Sequence, residues 1–157
     1  MKNKYKFYYS ILMITVIATF VGLFKALEIK DVSIDEIRKD IVRSTDVTTM
    51  EEDDGTKLKK LYNINKRDVD DYILYAPKSN MEANEILILK AKTQDDLKAL
   101  KEKVNHRVKS QSDSFENYDK TQFEIISNYI LEEKDNYLIL IVSKDSKAIK
   151  KSIDESF

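Results

Sequence analysis

A chain of 157 residues with no cysteine, 27 basic and 28 acidic side chains, 2 glycines and 1 proline excludes a disulfide-stapled scaffold, attachment through a lipidated cysteine and any Gly/Pro-rich disordered tract. Setting aside Lys2, Lys4 and Lys6 from the 27 basic residues leaves 24 against 28 acidic ones, a net charge near −4, which argues against nucleic acid as a partner. With 42% hydrophobic and 35% charged residues, the chain is foldable and has room for one domain beyond its N-terminal stretch.

That stretch, Phe7 to Phe24, carries no charge and is closed by Lys6 and Lys25. As a helix its 18 positions reach roughly 27 Å, close to the hydrocarbon thickness of a bilayer. Lys2, Lys4 and Lys6 precede it undiluted by acids, so the positive-inside bias puts residues 1–6 in the cytoplasm, a transmembrane anchor at 7–24, a juxtamembrane linker at 25–32 and a domain at 33–157 outside. Tyr5, Phe7, Tyr8 and Tyr9 suit the inner membrane interface. A cleaved signal peptide is the competing reading, with Val16-Ile17-Ala18 as its one passable cleavage site, but the apolar run continues well past it.

After the membrane, Ser33 with Glu36 makes a capping box, and Ile34, Ile37 and Ile41 recur at helical spacing, predicting a helix from Ile34 to Arg43. Thr45 to Gly55 is polar and acidic and reads as a loop before a short helix at Lys57 to Tyr62. The loop's acids lack the alternating ligands and closing Glu of a calcium site. Tyr72 to Ala76 and Glu85 to Lys92 read as two strands joined by a turn at Pro77 to Asn80. Thr93 caps the main helix, whose apolar face is Leu97, Leu100, Val104 and Val108.

A polar bridge is expected at Ser110 to Asn117. Asp119 with Gln122 then caps a short helix carrying Phe123 and Ile126. Ser127 to Glu132 and Tyr137 to Val142 read as a hairpin across Glu133 to Asn136, and Asp145 caps a last helix with Ala148, Ile149 and Ile153 inward. The fold class is α+β: an N-terminal transmembrane helix, then short helices and a four-stranded antiparallel sheet. Tyr72-Ile73-Leu74 answers Tyr129-Ile130-Leu131, suggesting two strand-strand-helix units, with helices on one face and the other face open.

Chemistry is sparse. His106 is the only histidine and has no cysteine to join it, so neither a metal centre nor a nucleophilic pair is expected. Nothing resembles a phosphate loop or a nucleophile elbow. Acidic pairs such as Asp70-Asp71 and Asp95-Asp96 are expected of a chain with 28 acids. No catalytic, metal-binding or cofactor-binding residue is assigned. Arg107 and Gln111, four apart on one helical face, can hydrogen-bond a loop or ligand, and Phe115 and Tyr118 are placed to pin the bridge that follows. Glu85, Arg107, Gln111 and Tyr118 are therefore the candidate interaction surface.

Leu61-Tyr62, Tyr75, Met81 with Ala83 and Glu85, Arg107 through Gln111 to Phe115 and Tyr118, Gln122 and Asn136-Tyr137 resemble, in order and spacing, a family of small exported proteins. These come from Gram-positive, especially clostridial, bacteria, form a domain of unknown function, and ride on a lipoprotein signal or membrane anchor. The resemblance runs from Ile34 to the C-terminus. Members tend to carry Gly where this chain has Asp135, and often a lipobox cysteine that this chain lacks. It implies an exported, membrane-tethered domain and no particular activity. The expected function is a single-pass, non-catalytic module binding an envelope protein or cell-wall component, with no cofactor. A ring- or assembly-forming envelope component is the alternative and leaves self-association open. A cell-wall hydrolase using two distant carboxylates is the third reading.

Overall fold

The computed structural model describes residues 2–26 and 32–157. The chain forms two compact units, one containing the N-terminal helix and one spanning Val32–Phe157. Helix α1, Lys2–Ala26, contains the apolar window Tyr5–Leu23, none of it buried. Its hydroxyls turn back onto its own backbone: Ser10 donates to the Lys6 carbonyl (3.0 Å), Thr15 to Ile11 (2.9 Å) and Thr19 to Thr15 (2.8 Å). These three bonds satisfy the Ser and Thr hydroxyls within the helix itself, as a hydrocarbon environment favours. A helix this long and apolar fits a membrane anchor or a signal sequence, which pass the same test of length and composition. Most of the expected linker, at residues 27–31, lies outside the described residues.

The domain begins at Val32, one residue before the expected boundary. Val32 is buried, and its carbonyl accepts the Tyr137 hydroxyl at 2.6 Å. Helix α2, Ile34–Ser44, is capped by the Ser33 side chain and buries Ile34, Ile37 and Ile41. The polar stretch read as a loop contains a fifth strand, β1, Met50–Glu52, which pairs antiparallel with Glu52 opposite Tyr75 and Met50 opposite Pro77. Only Met50 of the three is buried, so the strand rests on backbone pairing and left no apolar alternation to read.

Helix α3, Lys57–Tyr62, starts behind an unexpected cap. The Asp53 carboxylate accepts from the backbone amides of Gly55 (3.0 Å), Lys57 (2.8 Å) and Leu58 (2.9 Å). Gly55 supplies the φ of +114° that folds the chain around that carboxylate, a conformation costly for any residue with a Cβ. Strands β2, Asp71–Pro77, and β3, Glu85–Lys90, follow, then α4, Gln94–Glu116. The expected bridge is thus helix almost to its end. The buried stripe Leu97, Leu100, Val104, Val108 continues through Gln111 to Phe115, and these last two residues anchor the added turns.

Asp119 caps α5, Lys120–Ser127, accepting from the amides of Thr121 and Gln122. The Gln122 side chain does not return to this cap; it accepts the Ala83 amide at 2.8 Å and so ties α5 to the β2–β3 loop. Strand β4, Ile130–Lys134, sits two to three residues later than expected, and β5, Tyr137–Val142, follows. Between them Asp135 adopts φ +53°, the left-handed conformation that Asp tolerates better than most residues. Helix α6, Ser146–Asp154, buries Ser146, Ile149 and Ile153, whereas Ala148, expected inward, is exposed.

The sheet is antiparallel throughout, in the order β1-β2-β3-β5-β4. It has five strands, not four, and helices cover both of its faces, so no open face remains for a partner. Leu74, Leu87, Leu89, Leu138 and Leu140 pack with residues of α3, α4 and α5 on one side. Ile73, Ile86, Ile88, Ile139 and Ile141 pack with α2 and α6 on the other. Ile86 to Leu89 are all fully buried, each such side chain contributing about 1.5–3 kcal/mol. Continuous apolar strands of this kind mark two-sided burial. The two hairpins are not related as a duplicated unit would require. A two-fold axis normal to the sheet, exchanging β3 with β5, would put the helices that follow them on one face, and α4 and α6 lie on opposite faces.

Candidate functional site

Glu85 opens β3 in step with Leu87 and Leu89, so its side chain enters the α4 side of the sheet. It is 1% exposed. Both carboxylate oxygens are held: the Tyr62 hydroxyl, from the end of α3, donates to Oε1, and Arg107 Nη2, from the middle of α4, donates to Oε2 at 2.9 Å. Burial first and the adjacent Glu85 charge second push the Tyr62 phenol well above its ordinary value. Burial works against the Arg107 charge, but Glu85 outweighs it and holds the guanidinium above its ordinary value. Three elements are thus joined by one charged network, with Arg107 Nε buried and without a partner.

Above this network lies a cleft of about 440 Å³ between α3, the start of the β2–β3 loop and the second half of α4. Lys57, Lys60, Lys78 and Arg107 line it, against a single lining carboxylate, Glu51. Glu51 is paired with Lys57, and Lys78 Nζ donates to the Thr48 carbonyl. Lys60 has no partner among the described residues. Ser110, Gln111 and Ser114 add polar groups from α4, and Asn80 adds one from the loop.

Of the four residues expected to form the interaction surface, the structure brings three together. Arg107 forms part of the cleft wall and Gln111 lies one turn further along it. Glu85 is a support beneath the wall and is itself inaccessible. Tyr118 is 67% exposed, beyond the end of α4, and does not line the cleft. Phe115 packs into the core as expected of a pin, and Tyr118 does not. Sequence reasoning missed the lysines of the rim, which carry no local signal in a lysine-rich chain. It also missed the pairing of Tyr62 with Glu85, although both lie among the residues that carry the family resemblance. His106 is exposed on α4, and among the described residues no group of three or more His, Asp or Glu side chains is placed to hold a metal ion.

A family sequence model described as "Domain of unknown function (DUF4358)" matches residues 43–143. The matched span runs from the end of α2 to the end of β5, so it holds the entire sheet, α3, α4, α5 and every residue of the cleft. No curated protein matches the chain, and no solved structure does.

Proposed function

Because the chain belongs to the DUF4358 family, a domain of unknown function that prescribes no chemistry, we propose from its own physical features that it is a single-pass membrane protein displaying a non-catalytic binding module. In this reading α1 is an uncleaved anchor, its lysine-rich end faces the cytoplasm, and the α+β domain meets an envelope protein or cell-wall component outside a Gram-positive cell. The observation that carries the proposal is α1, whose 19-residue window Tyr5–Leu23 is long and apolar enough to cross a membrane. A helix apolar on all sides over that length suits a bilayer.

Binding is favoured over catalysis because the one carboxylate lining the cleft is paired with Lys57, and the other ionisable groups of the lining are lysines and Arg107, a set suited to holding an anion. The contact surface is the cleft around Arg107 and Gln111. The test is a crosslinking pull-down from native membranes combined with protease shaving of intact cells. A shaved domain and a specific partner lost with Lys60→Glu and Lys78→Glu support the reading. Recovery of only the protein's own copies would replace it with the assembly reading, and protection from protease would invert the topology and refute it.

A further inference from the structure

Gln111 is held on the cleft wall, 9% exposed as a residue, and its amide has no hydrogen-bond partner among the described residues and stays open to the cleft. An amide positioned by the packing of its stem and left without a protein partner keeps both its donor and its acceptor for whatever enters the cleft. The same cleft gathers Lys57, Lys60, Lys78 and Arg107 on a domain whose balance of charge is acidic. Even with Glu85 counted beneath Arg107, four cations meet two carboxylates. These observations are independent, one of hydrogen-bonding capacity and one of charge, and they converge on one volume.

We propose that this cleft binds a phosphate ester of a polyol, the phosphate facing the lysines and Arg107, and the hydroxylated body facing Gln111 and the serines of α4. The inference rests on the binding-module reading and names its ligand class. Phosphate is preferred to carboxylate because Arg107 Nη2 is committed to Glu85 and its Nε is buried. The guanidinium therefore cannot offer its outer edge as the two-pronged fork that recognises carboxylates, whereas lysines act as point charges suited to a tetrahedral oxyanion. A volume of about 440 Å³ lies within the range of small-molecule sites and exceeds what a bare phosphate fills. Gln111 supplies both a donor and an acceptor for a hydroxyl group, as Asn80 does across the cleft.

The experiment uses the full chain in neutral detergent micelles, following backbone amide resonances of residues 57–60 and 110–114. Three probes are titrated separately: inorganic phosphate, glycerol 3-phosphate and a short-chain phosphatidylglycerol. The expected result is saturable shifts with glycerol 3-phosphate or the lipid at least tenfold tighter than with inorganic phosphate. Lys60→Ser with Lys78→Ser should weaken binding at least tenfold, and Gln111→Met should weaken it with an unchanged melting temperature, since no internal hydrogen bond is lost. Preference for the lipid over glycerol 3-phosphate identifies a membrane headgroup as the source, and the reverse identifies a soluble or polymeric one; both support the assignment. Equal affinity for inorganic phosphate overturns the polyol part, and shifts that are absent or unchanged in the variants overturn the whole. A pull-down partner without phosphoester binding would remove this inference alone, whereas phosphoester binding with protease protection would remove only the topology.

Discussion

Replacing Arg107 by Met should destabilise the domain by about 3–5 kcal/mol, the range for removing one member of a buried ion pair. The size follows from an asymmetry in the network. Glu85 is 1% exposed and cannot reach water, whereas the Arg107 side chain is 18% exposed at the cleft. Loss of Arg107 therefore strands the carboxylate with only the Tyr62 hydroxyl. Glu85→Gln is milder, about 1–2 kcal/mol, because the amide still accepts from Tyr62 and Arg107 can turn towards solvent. The double variant Glu85→Gln/Arg107→Met should consequently be more stable than Arg107→Met alone, returning to within about 2 kcal/mol of the parent. Equilibrium urea unfolding followed by circular dichroism reads all four corners of the cycle. A loss below about 1 kcal/mol in Arg107→Met, or no recovery in the double variant, would refute the claim that Arg107 neutralises a charge sealed beneath the cleft.

Three further outcomes are expected. Burial opposes the Asp53 charge, but the amides of Lys57, Leu58 and Gly55 prevail and hold its carboxyl below the ordinary range. Its stabilisation is therefore present above the unfolded value and lost as pH falls through the lowered folded one; Asp53→Asn should cost about 1 kcal/mol at neutral pH and close to nothing in strong acid, as melts at the two pH values would show. Burial and then the Asp53 charge push Tyr72 up to about 12. Its contribution is complete below the ordinary tyrosine value and fades as pH rises through about 12, and the late phase of an ultraviolet tyrosinate titration, which Tyr62 shares, should shrink by one tyrosine equivalent in Tyr72→Phe. Asp135→Gly, at φ +53°, should stabilise the β4–β5 hairpin by about 0.5 kcal/mol in thermal melts, with destabilisation counting against strain at that turn.

Local chemistry made much of the chain legible. Ser33, Thr93 and Asp119 announced three helix starts, and the structure shows each side chain accepting a backbone amide. Ile34, Ile37 and Ile41 marked a buried stripe, and the uncharged run from Phe7 marked α1, because such signals depend on residues within a turn or two of one another. The apolar residues at every position from Ile86 to Leu89 also held the evidence for two covered faces, but a one-faced sheet takes only half of them inward, and the expectation followed the simpler architecture.

What lay beyond reach was set by contacts distant in sequence. β1 exists because β2 offers it an edge; two of its three residues are exposed acids that carry no strand signal alone. The serine-rich end of α4 stays helical because Gln111 and Phe115 are held against the domain interior, a packing energy that outweighs weak propensity. Glu85 reads as an ordinary acid at a strand end until Tyr62 and Arg107 close on it from positions 23 and 22 residues away. By itself the sequence determined the apolar helix, most element starts and the α+β class, since neighbouring residues encode them. Only the tertiary structure decided the fifth strand, the covering of both faces and the cationic cleft, because strand partners, helix placement and the environment of a charge are properties of residues that meet only when the chain has folded.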